Sequence, residues 1–409
     1  MNFLMQELFT IFLVLCMAAM GTCRSVDFSL LHRGQTNVMN YGAVGNGATD
    51  DSQAFMRAWR DICAGKSYPN LVIPGGKTFL LRPVQFYGPC KPSKIYVEVY
   101  GRIVAPKLYD YGSNNLNCWI GFWHVNGLTV KGNGQINGRG AEWWQAYTSI
   151  YQRPTAMGFY SCNNLVLQGL NFINSQRNHI SVSGSNGVTI SHLTITAPDS
   201  SPNTDGIDIS HSKTFEFLTP PLEPNTVTGF VGDDCIAFGD QTSQVFVKGV
   251  ACGPGHGISI GSLGVGGASA QVEEIHVDSC SFKGTQNGAR IKTWQGGSGY
   301  ARKITFNNIK LEDVENPIII DQYYCPHSAC QTTKSAVQIS DVSFTGFLGT
   351  SATDNAIKLS CSETVGCTNI SLDYINIKSA SGNGNTYSSC INAHGTAHNT
   401  FPSLLCLSN

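Results

Sequence analysis

Four short strings carry the residues that could do chemistry: Asn203-Thr204-Asp205-Gly206, Gly232-Asp233-Asp234-Cys235, Gly255-His256-Gly257 and Arg290-Ile291-Lys292. Each stands at the start of, or on, a short apolar-alternating run, namely Ile207/Ile209, Ile236/Phe238, Ile258/Ile260 and Ile291. Aligned on the first core isoleucine, Asp205, Asp234 and His256 share a column two residues ahead of it, with Asp233 one residue earlier. If the runs are neighbouring parallel strands, roughly 4.8 Å apart, these side chains stack into one patch. Carboxylates so crowded cannot all ionise cheaply, so at least one holds its proton to a raised pKa. A protonated carboxyl beside ionised ones is what glycosidic hydrolysis needs: the acid protonates the leaving oxygen while a base activates water. His256 in the same column can hold or tune the proton-donating carboxyl.

With Ile291 inward, Arg290 and Lys292 share the outward face, roughly 7 Å apart. Arg suits a planar carboxylate bidentately and Lys adds a point charge, so this pair beside catalytic acids points to an acidic polysaccharide. Singly, each string has a plainer explanation. Asp after Asn or Gly is a common turn residue, His between glycines marks a turn, and Arg-x-Lys is usually solvated. Their coincidence at one register across four strands carries the joint reading. Strict alternation would send Asp233 and Asp234 to opposite faces, so both reach the cleft only if the chain kinks at Gly232-Asp233, which the glycine permits.

The elements that must position these residues appear as a repeat: apolar, x, apolar, two polar or small residues, apolar, x, apolar. It occurs at Leu165/Leu167/Leu170/Phe172, Val188/Ile190/Leu193/Ile195, Val245/Val247/Val250/Cys252, Ile275/Val277/Cys280/Phe282, Ile304/Phe306/Ile309/Leu311, Val337/Ile339/Val342/Phe344 and Ile370/Leu372/Ile375/Ile377. The interval between the copies at Val188 and Val245 is about double the others, which leaves room for one degenerate copy. Such periods without helices mean a solenoid of strands. The expected fold is all-β, a single-stranded right-handed parallel β-helix, because stacked copies bury a ladder that no single copy can bury alone. A β-propeller is disfavoured, since its blades need about four meandering strands per repeat. Upstream, Val38 to Tyr41 reads as a strand. Asp50 is placed to cap a helix whose apolar face is Ala54, Phe55, Ala58, Trp59 and Ile62, a cover for the solenoid's N-terminal end.

Composition narrows the class. Gly is 44 of 409 residues and charged residues are 13%, which suits many short strands joined by turns and argues against a coiled coil. Lys plus Arg number 26 against 27 Asp plus Glu, with no basic run, so nucleic acid is not expected as a partner. The apolar stretch Leu8 to Leu15, followed by Ala18, Ala19, Gly21 and Thr22, reads as a secretory signal peptide, residues 1–23, ahead of one domain, 24–409. It is short for a membrane span, so no membrane association is expected after cleavage. Fifteen cysteines, with Cys16 and Cys23 in the leader, argue for disulfides in an oxidising compartment. Close pairs are Cys325/Cys330, Cys361/Cys367, Cys235/Cys252 and Cys390/Cys406, and Cys63/Cys90 could tie the N-terminal region. That leaves Cys118, Cys162 and Cys280.

In this order, the four strings resemble the signature motifs of polygalacturonases, the glycoside hydrolases of family 28, plant type. Ser201-Pro202, Cys252-Gly253-Pro254, Ile318-Ile319-Ile320-Asp321-Gln322 and Asn40-Tyr41-Gly42-Ala43 extend the similarity over nearly the whole mature chain. The resemblance implies a right-handed β-helix, no metal or other cofactor, and inverting hydrolysis of α-1,4-linked galacturonate by a secreted cell-wall enzyme, expected as a monomer. By motif, Asp233 would be the general acid, Asp205 and Asp234 would activate water, and His256 would support the acid. Asn203, Arg290, Lys292 and Tyr324 would bind substrate. The alternatives are a calcium-dependent pectate lyase on the same fold and an inactive wall protein that only holds polygalacturonate. One segment departs from the family pattern: Leu218 to Pro224, proline-rich, is expected to bulge from the coil that carries Asp233 and Asp234.

Overall fold

The computed structural model describes residues 34–407, except 113–116, 148, 150–151, 218–226, 327–329, 331–332 and 383. The expected signal peptide lies outside these residues, as does the Leu218 to Pro224 segment.

The chain winds as a parallel β-helix. Each turn contributes one strand to an 11-stranded sheet and, by way of two further strands, to a larger flanking sheet, with every pairing parallel. The strands of the 11-stranded sheet that matter here are β1 (Ile180–Ser183), β2 (Ile207–Ser210), β3 (Ile236–Phe238), β4 (Ile258–Leu263), β5 (Asn287–Thr293) and β6 (Asn316–Asp321). They are consecutive neighbours. Their inward row runs Ile180, Ile207, Ile236, Ile258, Ala289, Ile318, each fully buried. Each isoleucine withdrawn from water stabilises the ladder by about 1.5–3 kcal/mol.

The repeat read from the sequence is a corner of the helix. Its first apolar pair lies before the corner and its second after it, on two strands or, in the Ile304 and Ile370 copies, on one long strand that turns the corner, Ser298–Val314 and Cys367–Ser379. Between them stands a single residue with a left-handed backbone: Gly169, His192, Gly249, Ser279, Asn308 or Tyr374. The Val337 copy is a correction. Val342 and Phe344 pair with Ile304 and Phe306, so the corner copy in that turn is Val342/Phe344/Phe347/Gly349, about Gly346. The degenerate copy is Phe215/Phe217 followed by Val227/Gly229, in register with Val188/Ile190 and Leu193/Ile195. In sequence the two halves of this copy are nine residues apart, 218–226, where the other copies have two. The strands on either side, Lys213–Phe217 and Val227–Phe230, pair in both directions, so the ladder continues through this turn undisturbed.

Helix α1 (Ser52–Cys63) buries the expected face, Ala54, Phe55, Ala58, Trp59 and Ile62. Phe55 meets Phe79 edge-on at 5.5 Å, and Trp59 packs against Phe86 at 5.0 Å and Phe122 at 5.7 Å, which covers the first turns of the core. The cap position belongs to Asp51 rather than Asp50. Asp51 spends its carboxylate on the N–H groups of Val44 and Gly45, while Asp50 accepts from Ser52 N. Residues Val38–Tyr41 form a 3-10 turn, not a strand, because Asn37 caps Met39 N and the left-handed Gly42 closes it. A second helix, α2 (Ala141–Ala146), was not apparent in the sequence. Among the described residues five disulfides join Cys63–Cys90, Cys235–Cys252, Cys325–Cys330, Cys361–Cys367 and Cys390–Cys406, the expected pairs. Cys118, Cys162 and Cys280 remain free and buried, and burial pushes the Cys118 and Cys280 thiols up to about 12. Among the described residues no helix is long and apolar enough to cross a membrane.

Candidate active site

The register supplies the column. Ile207, Ile236 and Ile258 are cross-strand partners, so Asp205, Asp234 and His256 enter β2, β3 and β4 at the same height. The fourth string is displaced by one pleat from the expected alignment. Ala289, not Ile291, stands beside Ile258, and Arg290 stands beside Ser259. The outward row is consequently Asp208, Ala237, Ser259, Arg290, and it is this row that meets the column.

Asp234 joins the two. Its Oδ1 accepts from Arg290 Nη2 at 2.5 Å and from Ser259 Oγ at 2.8 Å, and its Oδ2 accepts from Lys292 Nζ at 2.6 Å. Arg290 Nε also donates to Ser259 Oγ at 2.8 Å. All four side chains are buried. Burial alone would raise the Asp234 pKa, but Arg290 and Lys292 outweigh it and bring the carboxyl down to about 2. Arg290 and Lys292, read from the sequence as free to take a substrate carboxylate, thus already neutralise a carboxylate of the protein itself. The Lys292 ammonium also lies 5.4 Å from the Tyr324 ring centre, and Tyr324 in turn stands edge-on to Trp294.

Asp233 turns the other way. Its Oδ1 accepts from Asp234 N at 2.9 Å and faces His256 Nδ1 at 2.8 Å, while Asn203 Nδ2 donates to its Oδ2 at 3.3 Å. The chain bends at Gly232-Asp233 as anticipated. Glycine is required there because a Cβ would collide with the Ser201 carbonyl oxygen. His256 is set by its own turn: its N–H donates to Asp233 O at 2.7 Å, and Gly257 holds φ +80° against the Asn287 carbonyl.

Asp205 is stacked among anions. Burial first, then Asp233, Asp208 and Asp234, hold its carboxyl well above the usual carboxylate range. Three neighbours were missed in the sequence. Asp208, raised to about 7 by burial and by Asp234 and Asp233 despite Arg177, lies on the outward row between inward Ile207 and Ile209. Any polar residue between two inward apolar ones carries that signal. Thr204 links two motifs: its Oγ1 accepts from Gly232 N at 3.1 Å. His179 is fully buried and its Nε2 accepts from Ser175 N, so Nδ1 carries the proton and donates to Asp205 O at 3.0 Å. Burial brings its pKa down to about 4, which keeps it neutral as a peg for the Asp205 peptide.

The group thus holds one carboxylate ionised by two cations and another carboxyl pressed towards its protonated form, with Asp233 oriented between Asn203 and His256. Identical carboxyls are thus set to opposite protonation states by their neighbours, which is how a site built of carboxylates can do acid and base chemistry at one pH. Asp233, Asp234 and His256 each offer one possible cation ligand atom within 4.8 Å of the others, but Asp234 already accepts from Arg290, Lys292 and Ser259, and His256 Nδ1 faces Asp233.

Residues 63–400 match the family model described as glycosyl hydrolases family 28. A protein of Arabidopsis thaliana named as a probable polygalacturonase is 47% identical over 376 residues, 91% of this chain and 80% of that one. Polygalacturonase-2 of Solanum lycopersicum is 40% identical over 366 residues, 88% of this chain and 78% of that one. Among solved structures, the endo-xylogalacturonan hydrolase of Aspergillus tubingensis superposes with a TM-score of 0.73 at 26% identity, over 87% of this chain and 97% of that one. The polygalacturonase of Erwinia carotovora shares the fold, with a TM-score of 0.68 at 19% identity, over 89% and 96%.

Proposed function

The chain belongs to glycosyl hydrolase family 28, and on that premise we propose that it is a polygalacturonase, hydrolysing α-1,4-galacturonosyl bonds of polygalacturonate and pectin with inversion. Asp233 is the general acid. Its Oδ2 proton passes to the glycosidic oxygen as the bond from that oxygen to the anomeric carbon breaks. A water held between Asp234 and Asp205 attacks the anomeric carbon from the opposite face and gives its proton to Asp234, the ionised member of the pair. His256 supports Asp233, Asn203 and Tyr324 receive the substrate, and Arg290 and Lys292, paired with Asp234, set the positive charge that an incoming galacturonate carboxylate meets. Residues 1–23 are a leader removed on export, and 24–409 form one catalytic domain that acts as a monomer in the cell wall, without a cofactor. The observation that carries this reading is the buried Asp234 held ionised by Arg290 and Lys292 beside an Asp233 bonded to His256.

The test is hydrolysis of polygalacturonate by the purified mature chain, followed by reducing-end release and by NMR of the first anomer formed. New reducing ends appearing as the β-anomer, at a rate indifferent to EDTA, are expected. Asp233→Asn should lower kcat on the order of 10³-fold or more with the fold intact. Products that absorb as unsaturated uronides and vanish with EDTA would transfer the chain to the lyase reading. Binding without turnover would make it a wall-binding protein.

A further inference from the structure

Arg153 lies just ahead of the strand Thr155–Tyr160, far from the four motifs in sequence, yet it is fully buried and bonded to the first of them. Its Nη1 donates to Pro202 O at 2.5 Å and to Gln176 O at 3.3 Å, and its Nη2 donates to Asn203 Oδ1 at 2.7 Å. Asn203 holds a left-handed backbone, φ 53°, and passes its amide on to Asp233 Oδ2. We propose that Arg153 is a positioning residue for the general acid, acting through the side-chain amide of Asn203.

The argument is one of donors and acceptors, and it rests on the hydrolase reading above. A guanidinium has N–H donors and no acceptor, so the Asn203 atom facing Arg153 must be the carbonyl oxygen. The amide is thereby locked with its NH2 towards Asp233. An NH2 group cannot accept a proton, and the other oxygen of Asp233 is engaged by Asp234 N and His256 Nδ1. A proton on Oδ2 is then left with one useful direction, the glycosidic oxygen in the cleft. Without the Arg153 fork the amide is free to rotate by half a turn. Its oxygen would then accept the acid's proton, which stabilises the protonated acid and aims it at the wrong partner. Lys would keep the charge without the fork, since the guanidinium reaches two backbone carbonyls through Nη1 and Asn203 through Nη2.

Turnover of polygalacturonate is measured across pH for wild type, Arg153→Met, Asn203→Ala and the double variant, with thermal unfolding recorded for each. Arg153→Met is expected to lower kcat about tenfold or more, to leave KM within about twofold, and to move the alkaline limb of the kcat profile to higher pH. The double variant should be no slower than Asn203→Ala alone, because the two residues act in series. Losses that multiply, or an alkaline limb that stays in place while kcat falls with the melting temperature, would reduce Arg153 to a structural tie and overturn the proposal. If Arg153→Met does not fold, Asn203→Asp decides. It presents an acceptor to Asp233 and should be slower than Asn203→Ala, whereas equal or greater activity would overturn the proposal. An inactive wild type would sink the hydrolase reading and this inference together, while an active wild type matched by Arg153→Met would sink this inference alone.

Discussion

Asp205 and Asp234 stand at the same height on neighbouring strands, and replacing either by Asn changes almost no volume. Their effects on stability should nevertheless have opposite signs. Asp234→Asn leaves Arg290 and Lys292, each 7% exposed, without their counter-charge. Lowering of the carboxyl from 3.8 to about 2 corresponds to about 2 kcal/mol of preference for the ionised form. Stranding a buried cation costs about 3–5 kcal/mol. A penalty of about 2–5 kcal/mol is therefore expected at pH 7, a fall of roughly 3–6 °C in melting temperature for a chain of this length. The sign with pH follows from linkage. The folded pKa is depressed, so the contribution is complete above the unfolded value near 3.8 and is lost as pH falls through about 2. Asp205 is the reverse case. Its folded pKa is raised by burial and by Asp233, Asp208 and Asp234, so the folded state binds a proton that the unfolded chain releases above pH 3.8. Stability from this site is lost as pH rises, and Asp205→Asn should raise the melting temperature at pH 7, with the gain fading towards pH 4, while abolishing turnover. Circular-dichroism melts of both variants and wild type between pH 4 and 8 make the comparison. Shifts of the same sign at pH 7 would refute the electrostatic account of the column.

Lys292→Ala should lower kcat and melting temperature together, not merely raise KM, because Lys292 Nζ is bonded to Asp234 at 2.6 Å; steady-state kinetics and melts separate the cases. Trp59→Ala should cost about 3–5 kcal/mol, read by denaturant unfolding, since it opens the contact between α1 and the aromatic cluster Phe86/Phe122. Deleting Leu218 to Pro224 should change turnover less than about twofold, as both flanking strands pair on each side and Val227–Phe230 separates the segment from Asp233. A large gain in activity or soluble yield would mean that the segment does disturb the coil.

Much of the fold was legible because a solenoid repeats one local pattern. The spacing of Leu165, Leu167, Leu170 and Phe172 and its copies required strands that bury one row each, and only stacking in parallel satisfies that row in every turn. The disulfides followed from cysteines close in sequence, and the face of α1 followed from its 3.6-residue period. Two errors have separate causes. Val38–Tyr41 was decided by a side-chain cap and a left-handed glycine, and the Val337 copy was set five residues early because Val337 and Ile339 mimic the apolar pair Val342 and Phe344 that takes its place in the ladder.

At the site, residue types and order were enough to assemble Asp205, Asp233, Asp234 and His256, since a common offset from inward isoleucines becomes a common height when strands stack. What each carboxyl does was beyond the sequence, because identical side chains differ only in their neighbours. The one-pleat shift of β5 set Arg290 beside Ser259 and so gave Asp234 its two cations, while Asp205 was left among anions. Arg153 and His179 reached the group across turns, from positions with no motif to flag them. Order and spacing determined which residues meet, and only the register between turns decided which of them is ionised, which keeps its proton and which holds the others in place.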